Sequence, residues 1–164
     1  MRRAQAPLLR LFTMDLFLTS RLGKEHADEL EALLFFHPQQ DRFRRNIIAS
    51  VEKYGSPRII ETNGNLRIQL QLLQDVQSLY ALARNGEDQE LAGALVYTRP
   101  EAQTLEILHI VVKDDYTLNG RQADRGLTFL LIEELCRIGR MIRGIHFVRL
   151  AYDRGRVILK SVDG

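Results

Sequence analysis

Features that are common in metal-binding and secreted proteins are scarce in this sequence. Cys136 is the only cysteine among 164 residues, and tryptophan is absent. A lone cysteine excludes an intrachain disulfide and a thiolate metal cluster, and its helical context "IEELCRIGR" favours a small buried side chain. The four histidines are scattered without metal-ligand spacing, at His26, His37, His109 and His146. We therefore expect no metal site.

Long apolar runs and a large net charge are also missing. No stretch approaches the roughly 20 apolar residues that span a bilayer, and the 23 basic residues nearly balance the 21 acidic ones. A nearly balanced charge gives no general attraction to nucleic acid. Arg42, Arg44, Arg45 and Lys53 form a local basic patch, for which a solvated helix face is a simpler interpretation than an RNA or DNA site. We expect a soluble, cytoplasmic protein with no membrane partner.

Length and composition favour a single domain. Hydrophobic residues make up 45% of the sequence and charged residues 27%, which are ordinary globular values. The start, "MRRAQAPLLRLF", is basic and then apolar, without a clean cleavage site. It is interpreted as an N-terminal extension over residues 1–13 rather than as a signal peptide. Residues 14–164 then form the domain.

The first half of this domain predicts one strand and two helices. "MDLFLTSRL" (14–22) alternates as a strand does, and "GKEHADELEALLFF" (23–36) has the period of an amphipathic helix. A second helix is predicted from about Gln39 to Gly55, because His37 precedes a proline and interrupts the first helix. The expected apolar faces are Ala27, Leu30, Leu33 and Leu34 on the first helix, and Phe43, Ile47, Val51 and Tyr54 on the second.

The second half predicts hairpins and then a parallel unit. Two hairpins are expected, with turns at Asn63-Gly64 and around Asn85-Gly86. "TLEILHIVV" (104–112) is apolar on both faces, as a covered central strand is. A helix from Gly126 to Gly144 leads to the strand "IHFVRLAY", which a right-handed crossover would place parallel to 104–112. The prediction is an α/β fold with a mixed, mainly antiparallel sheet and a C-terminal β-α-β unit.

The loop inside this unit carries the strongest functional signal. A strand end "VVKDDY" (111–116) is followed by "RQADRG" (121–126) and by the leucine-rich helix start "LTFLLIEEL" (127–135). A loop that leads into a helix N-terminus presents backbone N–H groups to an anion. Together with the element order, these segments resemble the GCN5-related N-acetyltransferase (GNAT) superfamily over about residues 14–150.

The resemblance implies an acetyl-CoA-dependent N-acetyltransferase that acts on a primary amine of a small molecule or a protein by direct transfer. Backbone groups of Val111 and Lys113 would bind the pantetheine arm of acetyl-CoA. Glu106 matches the position of a general-base glutamate, and Tyr152 and Lys160 are the candidates for a general acid. The pyrophosphate would bind to the backbone N–H groups of Arg121, Gln122, Ala123, Asp124, Arg125 and Gly126.

Each of these roles has a plain structural alternative. Asp124 stands where the family has its first loop glycine, and an aspartate at that place also suits a helix cap. By itself the sequence around Glu106 favours an exposed strand residue over a general base, and "RGRVILKS" is more typical of an edge strand with charged ends. The alternative function is a non-catalytic GNAT-like binding or interaction module that has lost CoA binding.

An open sheet edge is the last expectation. The closing hairpin of the family is missing after the strand at 145–150, which would leave the edge of that strand unpaired. An unpaired edge invites pairing with another chain, so a homodimer that completes the sheet is predicted.

Overall fold

The computed structural model of this chain describes residues 15–36, 44–116, 126–151 and 160–161. Its α-helices are α1 (Ala27–Phe35), α2 (Arg44–Tyr54) and α3 (Leu127–Met141), and short 3-10 helices cover Lys24–His26 and Asp114–Tyr116. The strands are β1 (Asp15–Thr19), β2 (Leu22–Gly23), β3 (Pro57–Thr62), β4 (Asn65–Leu70), β5 (Val76–Asn85), β6 (Asp88–Glu101), β7 (Thr104–Val112), β8 (Phe147–Leu150) and β9 (Lys160–Ser161). The predicted N-terminal extension, residues 1–13, lies outside the described residues.

The strands form two sheets. The larger has the order β1-β5-β6-β7-β8-β9 and the smaller the order β2-β4-β3. All neighbouring strands are antiparallel except β7 and β8, which are parallel and connected through α3. The prediction of an α/β fold with a mainly antiparallel sheet and a C-terminal β-α-β unit is therefore confirmed.

Both predicted hairpins are present. Asn63 and Gly64 have φ values of 53° and 78°, as a two-residue turn between right-twisted strands requires. The second hairpin closes one residue later than expected, since Asn85 pairs with Asp88 and Gly86 has a φ of 65°. The predicted first strand is divided, because β1 belongs to the larger sheet and β2 to the smaller one.

The larger sheet separates two apolar clusters. Successive residues of one strand point to opposite faces. β5 shows this directly, since Leu79 lies in the cluster on the α3 side and Tyr80 in the cluster on the α1 side. The α3 cluster includes Leu95, Leu105, Ile107, Leu127, Leu131, Leu135 and the buried Cys136. The α1 cluster includes Leu22, Leu30, Leu33, Tyr54, Leu66, Ile68 and Leu108. Burial of these faces is what holds the helices and the smaller sheet to the larger one.

Two expectations need correction. The apolar side of α2 is not buried throughout: Val51 is 38% exposed, while Tyr54 is buried. Nor is the outer edge of β8 left open, because Lys160 and Ser161 of β9 pair with Val148 and Phe147. A short strand that follows residues 14–150 thus covers part of that edge. None of the helices in the described part of the chain is long and apolar enough to cross a membrane.

Candidate functional site

Glu106 lies near the middle of the sheet. It is only 4% exposed, so its interpretation as an exposed strand residue is wrong. Its neighbours Leu105 and Ile107 pack toward α3. The alternation of a strand therefore directs the Glu106 side chain to the opposite face, toward α2.

Both carboxylate oxygens of Glu106 accept hydrogen bonds from the protein. The Tyr54 hydroxyl on α2 donates to Oε1 at 2.6 Å, and Arg149 Nε on β8 donates to Oε2 at 2.6 Å. Arg149 is also the cross-strand partner of Glu106 in the parallel register. The carboxylate thus connects three elements, and we call Tyr54, Glu106 and Arg149 the Glu106 cluster.

The Glu106 cluster keeps Glu106 ionised. Burial, the largest influence, raises the pKa of Glu106, but the hydrogen bonds from Tyr54 and Arg149 and the charges of Arg149 and Lys53 outweigh it. The pKa therefore lies below its ordinary value of 4.5. Burial and the bond to Glu106 raise the pKa of Tyr54, so its hydroxyl remains a hydrogen-bond donor at neutral pH. The Lys53 ammonium lies 4.9 Å from the centre of the Tyr54 ring.

Next to this cluster, the described pairing of the parallel strands ends. β8 pairs with β7 over residues 104–107 only, and the last bond joins Ala151 N–H to the Ile107 carbonyl at 2.9 Å. β7 continues to Val112, still paired with β6. A register shift leaves Leu108 without a partner residue on β6, as at a β-bulge. At Ile110, the side of β7 that faces away from β6 is paired with no other strand among the described residues, and we call this position the strand gap.

Backbone direction decides which β7 groups face the strand gap. Lys113 N–H donates to the Ala92 carbonyl of β6 at 2.8 Å, and its own carbonyl accepts from Tyr116 N–H at 2.9 Å. Alternate residues direct their backbone groups to the same side, so Val111 also faces β6, where it pairs with Ala94. Ile110 faces the strand gap. The groups predicted for the pantetheine arm are therefore offset by one residue from those that face the gap.

The remaining predicted site residues are only partly described. Arg121, Gln122, Ala123, Asp124, Arg125 and Tyr152 lie outside the described residues. Gly126 has φ 56° and ψ 42° at the N-cap of α3, a left-handed conformation that favours glycine. Lys160 pairs with Val148, which pairs with Leu105, so the Lys160 backbone lies two strand spacings from β7, roughly 10 Å.

A second polar cluster surrounds the end of β7. Glu29 of α1 accepts from His26 Nδ1 at 2.8 Å and from Leu91 N–H at 2.8 Å, and Lys113 Nζ lies 3.2 Å from its carboxylate. Leu91 precedes a register shift in β6, so Glu29 binds an amide beside a bulge. Burial raises the pKa of Glu29, but these partners lower it more, to below its usual value. The cluster explains how α1 is held to the sheet. Within the described residues no group of acidic, histidine and cysteine side chains has the arrangement of a metal site.

Tyr54 and Arg149 are the site residues that the sequence analysis missed. Tyr54 was included only as part of an apolar helix face, and Arg149 only as part of the strand "IHFVRLAY". An arginine inside an otherwise apolar strand is a usable signal, since a charged side chain there needs a partner. Pairing that strand with 104–112 in parallel would have brought Arg149 near Glu106.

None of the known protein families, curated proteins or solved structures compared with this chain matches it. Its function is therefore inferred from its own residues and their geometry.

Proposed function

We propose that this protein is an acetyl-CoA-dependent N-acetyltransferase of GNAT-like fold that transfers an acetyl group directly to a primary amine. The observation that carries the proposal is the parallel pair of β7 and β8, which are partners over residues 104–107 and are connected through α3, with Glu106 buried between them and α2. Ligands of open α/β sheets bind outside the carboxyl ends of parallel strands.

The groups beside the strand gap are of the kinds that bind the pantetheine arm and the pyrophosphate of acetyl-CoA. Backbone groups such as those of Ile110 would bind the pantetheine arm as an added strand does. The start of α3 would hold the pyrophosphate, since helix N-termini attract anions. Acetyl-CoA would supply the activated thioester. Asp124 opposes this binding, because a carboxylate near a phosphate costs on the order of 1 kcal/mol even in water.

The role of Glu106 in this reaction is limited by its environment. An alkylammonium has a pKa of about 10.4, far above that of Glu106, which lies below 4.5. Such a carboxylate is a poor general base for an ammonium group. It suits an orienting role instead, in which it accepts an N–H bond from an amine that arrives neutral. Tyr152 and Lys160 remain the proposed sources of a proton for the departing thiolate.

One observation favours a second candidate, the non-catalytic GNAT-like interaction module. Both oxygens of Glu106 are already bonded within the protein, at 4% exposure. A carboxylate with these partners has a complete structural role, since it joins α2 and β8 to β7. In a module without catalysis, no further role of Glu106 is needed.

Calorimetric titration of acetyl-CoA and of CoA into the purified protein tests the first candidate. Binding at micromolar strength is expected. Asp124→Gly and Asp124→Asn form a matched pair, because the asparagine keeps the capping ability and removes the charge. Both variants should bind CoA more tightly than the parent protein if the charge opposes the pyrophosphate. The absence of heat and of a thermal shift at millimolar CoA would leave only the interaction module.

A further inference from the structure

We propose that α2 is a lid closed over Glu106, with the Tyr54 hydroxyl in the place that an N–H group of the acceptor would take. The closed structure is then an autoinhibited state of the site. The identity of the acceptor rests on the proposed N-acetyltransferase function, whereas the lid itself rests only on the contacts of α2.

Over residues 48–54, the attachment of α2 to the rest of the molecule is concentrated at Tyr54. Within this range Tyr54 is the only buried side chain. Ile48 and Val51, which would normally attach a helix to a core, are 48% and 38% exposed. Most helices of this length depend on tertiary packing for stability. Over residues 48–54 that packing is the Tyr54 ring, together with the 2.6 Å hydrogen bond of its hydroxyl to Glu106 and the bond of its carbonyl to Leu72 N–H.

The residue after Tyr54 has the properties of a pivot. Gly55 has a φ of 82°, a conformation that other residues rarely adopt. On either side, Gly55 N–H donates to the Val51 carbonyl and Leu72 N–H donates to the Tyr54 carbonyl, both at 2.8 Å. A glycine that joins a helix end with a single buried side chain to a well-paired hairpin can absorb the dihedral change of a lid motion.

Opening of the lid would remove one of the two hydrogen bonds of the Glu106 carboxylate and keep the other. Arg149 would stay, because it lies on β8 and binds Oε2. The Tyr54 hydroxyl would leave Oε1, and Lys53 would move away with the same helix. Glu106 would keep its position and lose one donor and one nearby positive charge. The exposed oxygen then fits an N–H donor, neutral or cationic, so that an amine would compete with Tyr54 for the same atom.

Two measurements on the ligand-free protein test the lid. Hydrogen exchange should show the amides of residues 48–54 exchanging about fivefold or more faster in Tyr54→Phe, since the variant keeps the ring and loses a bond to a charged group. Labelling of Glu106 with a water-soluble carbodiimide and glycine ethyl ester should rise by a similar factor, normalised to the exposed Glu52. Tyr80→Phe, which removes the hydroxyl of another buried tyrosine, should change neither measurement.

If hydrogen exchange and carbodiimide labelling in Tyr54→Phe were the same as in the wild type, the proposal would be overturned. Faster exchange of α2 without labelling of Glu106 would overturn it too, because the lid would then not control access to the carboxylate. Neither measurement uses CoA. If acetyl-CoA did not bind in the titration, the assignment of an amine acceptor would be withdrawn, but the evidence for the lid would remain. If the two lid measurements did not change in Tyr54→Phe, the result of the CoA titration would not be affected.

Discussion

At the residue scale, the contribution of Glu106 to the free energy of unfolding depends on which of its partners would lose a bond or a counter-charge without it. Glu106→Gln keeps the shape and an acceptor for Tyr54, but it leaves the Arg149 guanidinium, which is 28% exposed, with only the exposed Glu101, 3.7 Å away, as a counter-charge. Breaking a buried pair by removing one partner is costly, and partial exposure of Arg149 reduces that cost to about 2 kcal/mol. Urea unfolding at neutral pH measures this loss. Glu134→Gln, in an ion pair on the surface of α3, is the control and should change stability little. Equal stability of Glu106→Gln and wild type would contradict the geometry of the cluster.

The lowered pKa values of Glu106 and Glu29 predict how stability depends on pH. In the unfolded chain both titrate near their ordinary value of 4.5, and in the folded protein both titrate below it. The unfolded state therefore binds more protons in this range, and stability rises with pH there. The contribution is fully present above pH 4.5 and is lost as the pH falls through the folded pKa values.

Urea unfolding of wild type and Glu106→Gln between neutral pH and pH 3 should show that the difference between their free energies of unfolding becomes smaller on acidification. A constant difference would show that the charge of Glu106 is not what stabilises the fold.

At the element scale, alanine substitutions at two glycines with similar backbone conformations distinguish the cost of backbone strain from the cost of steric overlap. Gly64 and Gly55 have φ values of 78° and 82°. A Cβ at Gly64 would meet nothing within 4 Å, whereas one at Gly55 would lie 2.6 Å from Gln71 Cβ. Gly64→Ala should cost about 1 kcal/mol from the left-handed conformation alone. Gly55→Ala should cost roughly 1–3 kcal/mol more, because the backbone at the junction of α2 and β3 must shift. Denaturant unfolding of both variants checks the order, and equal costs would mean that this junction is loosely packed.

The elements themselves also show what the sequence could and could not predict. Hairpin turns, the central strand 104–112 and the parallel unit followed from local signals, because Asn-Gly pairs and apolar periodicity act over a few residues. The Glu106 cluster did not, since Tyr54 and Arg149 are 52 and 43 residues away from Glu106 along the chain. Their meeting depends on how α2 and β8 pack on β7. Short β9 lies in "RGRVILKS", for which an edge strand is the alternative to a site role of Lys160, and it is at the edge of the larger sheet. A strand of two residues has too little periodicity to decide between these interpretations.

At the scale of the whole molecule, the open edge that favours a homodimer lies on a different strand from the one expected. β9 covers part of β8, while β1 (Asp15–Thr19) ends the larger sheet on its other side, with no strand beyond it among the described residues. Unpaired backbone groups on an edge strand are a template for a second copy, and a two-fold axis would pair β1 with its own copy in antiparallel fashion.

We expect light scattering coupled to size exclusion to show a dimer at micromolar concentration that dissociates on dilution. The outward amides of β1 should then be protected from hydrogen exchange at high protein concentration and lose that protection on dilution, while amides of the central β6 keep theirs. A strict monomer, or protection of β1 independent of concentration, would mean that the edge is closed within a single chain.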